Sequence, residues 1–319
     1  MKLNLSQIRD ALMSQNYLAS SEMLHALWAS ISQDRPLLLE GEPGVGKTAV
    51  ARALADGLRL PYCRVQMYDG LTDDKILYDY DYQKQLLMLE LLKPKLEQAL
   101  AGLSPRQAMQ SANLAVDFYG PDFLIKRPIL KAISGDGPCV LCIDEIDKAP
   151  EEVEYMLYEF LEDYALTIPQ LGEIKCPANQ KPLVFITSNG YRELSGALRR
   201  RCNYLYIERK SKQELTEILM KKAAAEPDLA RGIAAALFEL GQQAELLHYQ
   251  PSIAEAIAYA KFLQANEQAT KELAMNALSI LVKDSRDFEP VSEILQKFGA
   301  GIWNGKGEVD DEWSEFLAR

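Results

Sequence analysis

The sequence predicts an α/β fold: a parallel sheet sandwiched by helices, followed by a smaller all-helical domain. Three observations carry that expectation. The apolar run Pro36-Leu37-Leu38-Leu39-Glu40 passes through a Gly-rich turn into helical spacing over 48–60 and then into Tyr62-Cys63-Arg64-Val65-Gln66-Met67. That strand, turn, helix, strand order is a βαβ unit, which places its two strands parallel. Three further apolar runs follow, ending at Asp144, Thr187 and Ile207. From about Lys210 extended runs cease, and helical spacing alone continues to about Lys283.

The elements follow in order. Residues 1–34 are helical in spacing, with Leu24, Leu27 and Ile31 on one stripe. The helix over 48–60 repeats small and branched apolar residues, among them Ala49, Val50, Ala53, Leu54 and Leu58. The stretch between Asp69 and Val140 is longer than one crossover needs; it holds the alternation Tyr78-Asp79-Tyr80-Asp81-Tyr82, a Leu-rich helix from Lys84 and more helix near 125–133. Val153, Met156, Leu157, Phe160, Leu161 and Tyr164 share one face of a helix that Pro150 opens, where proline is tolerated. Leu166-Thr167-Ile168 and Glu173-Ile174-Lys175-Cys176 read as a hairpin. The expected division is an α/β domain over 1–208, with a helical insert at about 71–100 and a hairpin at about 166–176. A helical domain over 209–285 follows, then an acidic tail over 286–319 that carries several glycines and Trp313.

Composition narrows the function classes. The chain has 319 residues, 48% of them hydrophobic and 25% charged, which is ordinary for a globular protein. The net charge of −11 repels a phosphate backbone and argues against nucleic acid as the main partner. Met1-Lys2-Leu3-Asn4-Leu5 lacks the apolar core of a signal peptide, and no apolar run approaches the roughly 18 residues of a membrane span. Five cysteines, an odd number, fit a reducing cytoplasm, the expected location. Cys139 and Cys142 form a C-x-x-C, but on a strand they face opposite ways, roughly 10 Å apart. They are therefore expected to be core packing, not a redox or metal pair. The two histidines, His25 and His248, lie in apolar helical contexts and assemble no metal site.

Chemistry concentrates in four places. Gly41-Glu42-Pro43-Gly44-Val45-Gly46-Lys47-Thr48 has the spacing G-x-x-x-x-G-K-[ST]. Glycines there let successive backbone N–H groups face phosphates at a helix N-terminus. Lys47 reaches the β- and γ-phosphates and the Thr48 hydroxyl ligates Mg²⁺. Val140-Leu141-Cys142-Ile143-Asp144-Glu145 is an apolar strand ending in two acids. Asp144 suits Mg²⁺ held through its water shell, and Glu145 suits polarising an attacking water. Asn189 follows the next apolar strand, where its amide either orients that water or simply forms a Ser-Asn-Gly turn. Arg199, Arg200 and Arg201 close a short helix; they are either a solvated basic helix end or an arginine finger for a neighbour's site.

Together these motifs resemble the MoxR branch of the AAA+ ATPases, and within it the members associated with von Willebrand A-domain proteins, similar to the carbon monoxide dehydrogenase maturation ATPase. The resemblance spans roughly residues 20–290. It rests on LLLEGEPGVGKTAVARALA, VQMYDGLTDDKILYDYDYQKQLL, LCIDEIDKAPEEVEYMLYEFLEDYALTIP, FITSNGYRELSGALRRRCNYLYI and PSIAEAIAYAKFL. It implies a P-loop AAA+ sheet in the order 5-1-4-3-2 with a helical lid. Asp144 and Glu145 match the Walker B pair, Asn189 the first sensor, and Arg201 the finger, with Arg200 next. The insert and hairpin match elements that face a central pore or a client. One departure stands out: Pro251-Ser252-Ile253-Ala254-Glu255 puts Ile253 where many relatives have the lid arginine of the second sensor. Locally, Ser252 and Glu255 have capping-box spacing instead.

The implied function is a ring-forming ATPase, expected as a hexamer. With ATP and Mg²⁺ it remodels a protein client, such as a metalloenzyme, alongside a von Willebrand A-domain partner. The alternative on the same core is a nucleic-acid motor or loader, for which the sequence offers no zinc finger, winged-helix tail or basic stripe. A small-molecule kinase leaves the arginine cluster and helical lid unexplained.

Overall fold

The computed structural model describes residues 2–100, 104, 117–266, 271–298 and 302. Its principal sheet contains β1 (Leu37–Gly41), β2 (Tyr62–Gln66), β5 (Val140–Asp144), β8 (Leu183–Ser188) and β9 (Asn203–Ile207). Four shorter strands pair apart from it: β3 (Tyr78–Tyr80) with β4 (Leu124–Lys126), and β6 (Ala165–Ile168) with β7 (Gly172–Lys175). The principal order is β2-β5-β8-β1-β9, which in chain order of those five strands is the anticipated 5-1-4-3-2. β5 is parallel to β2 and β8, with Arg64 opposite Cys142, Gln66 opposite Asp144, and Ile143 opposite Ile186. Every residue of β5 and β8 is buried, which is why residues 140–143 and 183–186 are apolar runs without polar alternation. Cys139 and Cys142 are buried free thiols in this core, as their strand context predicts.

Contacts divide the chain into two compact units. The first comprises the described residues up to Ile8, then Glu22–Leu39 and Leu54–Leu205. Its core joins Leu141, Ile143 and Ile186 of the sheet to Val153, Leu157, Phe160 and Leu161 of the helix Glu151–Asp163. The spacing of those four residues keeps one helix face inward. Glu151, Glu152 and Glu154 occupy the first turn, where acids complement the helix dipole. The β6–β7 hairpin turns at Gly172, whose φ of +78° favours glycine. β3 and β4 are antiparallel, and the helix Tyr82–Leu100 follows β3.

The alternating tyrosines of this insert do not share one environment. Tyr80 is buried, edge-on to Tyr78 at 6.2 Å and to Tyr119 at 5.4 Å, whereas Tyr82 is exposed. Tyr80 therefore belongs to the packing of the insert.

The second unit comprises Arg9–Ser21, Glu40–Ala53 and the described residues from Tyr206 onward. Helices Lys212–Ala223, Pro227–Gln242, Ile253–Gln264 and Phe288–Phe298 enclose a core that includes Leu219, Ala234, Tyr259, Leu263 and Leu295. Ser211 and Ser252 each close a capping box, with Glu214 and Glu255 respectively. The span 286–319, expected as a tail, begins with the helix Phe288–Phe298, which buries Val291, Ile294 and Leu295. Its Gly-rich, Trp-containing part lies outside the described residues, apart from Ile302.

Candidate functional site

In the second unit, Glu40 and Gly41 at the end of β1 run into the turn Glu42–Gly46, and a helix starts at Lys47. Gly44 and Gly46 have φ of +81° and +99°, which side-chain-bearing residues rarely adopt. A Cβ on Gly44 would also lie 2.8 Å from Ser252 Cβ. Lys47 is buried beneath the turn, and its Nζ donates to the carbonyls of Gly41 at 2.8 Å and Glu42 at 2.7 Å. The ammonium thus lies inside the curl of the loop, where an anion held by loop N–H groups gains a compensating charge.

Glu42, Pro43, Gly44 and Val45 border a cleft of about 540 Å³, including its open mouth. Leu215, Leu237 and Phe238 supply an apolar wall, while Arg209, Lys210, Gln242 and Gln250 supply polar groups. Its composition suits a ligand with a flat apolar part and a few hydrogen-bonding atoms. Ile253 lies on the same lining.

In the first unit, Asp144 ends β5 and is 3% exposed. Its Oδ2 accepts from Arg64 Nε at 3.0 Å and also from Arg64 Nη2. Its Oδ1 accepts from the Thr187 hydroxyl at 2.5 Å. The next residue, Glu145, is left-handed at φ 57°, and its N–H donates to Thr187 Oγ1 at 2.9 Å. That bond holds Glu145 in a costly backbone conformation. Asn189 Nδ2 donates to Glu145 Oε1 at 3.2 Å; Lys148 Nζ, 2.8 Å away, and Gln66 Nε2 donate to Oε2. The Glu145 hydrogen bond raises the Lys148 pKa, so this partner stays protonated.

A second layer fixes Asn189. Asp147, almost wholly buried, accepts the N–H groups of Asn189 and Tyr191, each at 3.0 Å. Arg192 pairs with fully buried Glu154 at 2.5 Å and donates to the Ala149 carbonyl at 2.9 Å. Burying that pair is tolerable because Glu154 Oε2 also accepts the Ser195 N–H at 3.1 Å.

The basic helix is Gly196–Arg201, capped by Ser195. Arg201 is committed within its own chain: Nε and Nη2 donate to Glu162 Oε2 at 3.1 and 2.6 Å, and its guanidinium lies over Tyr158 at 4.6 Å. Arg199 lies over Tyr204 at 5.8 Å. Arg200 is exposed, and among the described residues its side chain has no hydrogen bond or ion pair.

The fold therefore brings Asp144, Glu145 and Asn189 together in one unit, and gathers Gly41, Pro43, Gly44, Val45, Gly46, Lys47 and Thr48 into one turn in the other. Sequence reasoning missed Arg64, Gln66, Asp147, Lys148, Thr187 and Arg192. Arg64 and Gln66 left a trace: polar residues two apart share one face of a strand that a parallel sheet would otherwise make apolar.

A Gly-rich turn between strand and helix, an apolar strand ending in two acids, and the order 5-1-4-3-2 define a P-loop AAA+ fold. The chain belongs to the AAA domain family, dynein-related subfamily, whose profile matches residues 36–202. That family hydrolyses ATP, and the protein is an ATPase. AAA+ proteins typically assemble into rings. Among curated proteins none matches the chain.

Solved structures similar to it include Thermotoga maritima RuvB and its point mutants. A proline-to-glycine mutant is 18% identical with a TM-score of 0.45, covering 95% of this chain and 74% of that one. An alanine-to-serine mutant is 21% identical with a TM-score of 0.41, covering 86% and 67%. A third, described as the RuvB Holliday junction branch migration motor, is 18% identical with a TM-score of 0.40, covering 92% and 70%. At this identity the likeness concerns fold alone. Among the described residues no helix is long and apolar enough to cross a membrane.

Proposed function

We propose that the protein is a MoxR-type, ring-forming ATPase, acting as a hexamer, that uses ATP hydrolysis to remodel a protein client. Lys47 and the loop N–H groups of Gly44, Val45 and Gly46 hold the phosphates, with Gly41 and Pro43 shaping the turn. Following the sequence motifs, Thr48 and Asp144 are the proposed Mg²⁺ residues; the ion, which keeps several waters and takes few protein ligands, would supply charge neutralisation to the phosphates. Glu145 accepts a proton from the attacking water, and Asn189, held by Asp147, orients the carboxylate that does so. Arg200 or Arg201 reaches a neighbouring subunit's site and stabilises charge on the transferring phosphoryl group.

The protein-client reading is carried by the insert. Leu86, Leu87, Leu89 and Leu91 of the helix Tyr82–Leu100 are exposed, together with Tyr82. An exposed apolar surface of this kind suits a protein partner better than a phosphate backbone. A von Willebrand A-domain protein is the proposed adaptor and a metalloenzyme the proposed client, following the sequence resemblance. The test is a pull-down from the native host with a Glu145→Gln ring held in its ATP state. The expected catch is a von Willebrand A-domain protein or the metalloenzyme it serves. Recovery of DNA or RNA with repair proteins, and no such partner, would overturn the proposal.

A further inference from the structure

We infer that Arg209 is a positioning residue that holds the nucleotide cleft together by bridging the phosphate loop, a helix end and the segment before the Ser252 cap. This inference rests on the cleft being the nucleotide site. One guanidinium there bridges separate segments of chain. Its Nε donates to Glu42 Oε2 in the phosphate loop. Its Nη1 donates to the Gly241 carbonyl, near the end of the helix Pro227–Gln242. Its Nη2 donates to Gln250 Oε1 at 3.0 Å, in the segment that leads to the Ser252 cap. All four residues line the cleft, and all lie in one compact unit.

The Arg209–Glu42 pair is about two-fifths exposed on either side, and such pairs contribute little by themselves. The role of Arg209 comes from bridging. Loop, helix end and cap segment are fixed relative to one another by a planar fork whose N–H groups point in set directions. The approach is already close, since Gly44 abuts Ser252 with no room for a Cβ. Ile253 sits on the lining with a side chain that donates no hydrogen bond. Arg209 raises the fraction of molecules whose cleft is competent to bind, and apparent affinity follows that fraction.

Gly241 provides a second handle. A Cβ built there lies 2.9 Å from Arg209 Nη1, so Gly241→Ala displaces the guanidinium while keeping its charge. Alanine favours the helix, so this variant folds.

The experiment is equilibrium titration of mant-ADP, a fluorescent ADP, against wild type, Arg209→Ala, Arg209→Lys, Glu42→Gln, Gly241→Ala and the Arg209→Ala/Glu42→Gln double variant, with thermal melts of each. Lys47→Ala reports on the site itself. The expected result is about a tenfold loss of affinity for Arg209→Ala, a similar loss for Glu42→Gln, and no further loss in the double variant. Arg209→Lys does not rescue, because an ammonium cannot span three partners, and Gly241→Ala weakens binding without lowering the melting temperature. Wild-type affinity in Arg209→Ala and Gly241→Ala, or multiplicative losses in the double variant, would overturn the clamp while a Lys47→Ala loss leaves the site assignment standing. Absence of mant-ADP binding by the wild type would remove both.

Discussion

Replacing Thr187 by valine removes one hydroxyl from the fully buried end of β8 and keeps the side chain's shape. Two bonds go with it: the one to Asp144 Oδ1 at 2.5 Å and the one from the Glu145 N–H at 2.9 Å. A hydrogen bond to a charged group contributes about 1.5–3 kcal/mol, and a buried N–H left unpaired costs about 1–3 kcal/mol. The added methyl, in buried surroundings, returns about 1 kcal/mol. The net expectation is a loss of about 2–4 kcal/mol, a fall in Tm on the order of 5–10 °C. Function is affected through Glu145, which loses the bond that holds its left-handed backbone. Steady-state ATPase assays below the melting transition should show turnover reduced by about tenfold or more, with mant-ADP affinity close to wild type. Thr187→Ser keeps the hydroxyl and should recover most of the rate. A Thr187→Val protein that melts within about 1 °C of wild type and turns over at its rate would refute the reasoning.

Arg200→Ala is expected to abolish most ring ATPase while leaving Tm unchanged, because its side chain is exposed and makes no hydrogen bond or ion pair among the described residues. Arg201→Ala should lower Tm as well, since it removes the Glu162 and Tyr158 contacts. Mixing either variant with Lys47→Ala chains should restore some activity, and no rescue in confirmed mixed rings would remove the trans-acting role. Tyr80→Ala should cost about 3–5 kcal/mol of stability and lower Tm accordingly, as aromatic truncation in a core does, whereas Tyr82→Ala should spare Tm and reduce client-stimulated turnover. Equal melting temperatures for the two would contradict their different burial. Burial raises the Glu214 pKa, but bonds from the Ser211 N–H and Lys210 outweigh it, and the net shift is downward. Its stabilisation is therefore complete above the ordinary carboxylate range and fades as pH falls through the lowered value. The Tm gap between wild type and Glu214→Gln should be open at pH 7 and close on acidification; a gap that widens instead would reverse the sign.

Local rules made much of this protein legible. The phosphate-loop turn was readable because its conformation requires glycine at 44 and 46, and the Ser252 capping box because its partners lie three residues apart. Cys139 and Cys142 were readable as core because an apolar strand surrounds them. What escaped depends on pairing across long separations. Arg64 reaches Asp144 only because β2 lies beside β5, 80 residues on. The alternation left the burial of Tyr80 and Tyr82 open, because it depends on β4, more than forty residues later in the chain, pairing with β3. Arg209 gave no sign in sequence, since its partners come from residues 42, 241 and 250. The helix Phe288–Phe298 was masked by the acidic, Gly-rich chain beyond it.

The central claim is that Glu145, held by Asn189, Lys148 and Gln66, activates water for ATP hydrolysis. Paired measurement of nucleotide affinity and steady-state turnover for wild type and Glu145→Gln tests it most directly. The amide keeps the size of the carboxylate but cannot take a proton. Affinity should match wild type while turnover falls by about a hundredfold or more, the usual contribution of a general base. Turnover by Glu145→Gln at the wild-type rate would contradict the assignment.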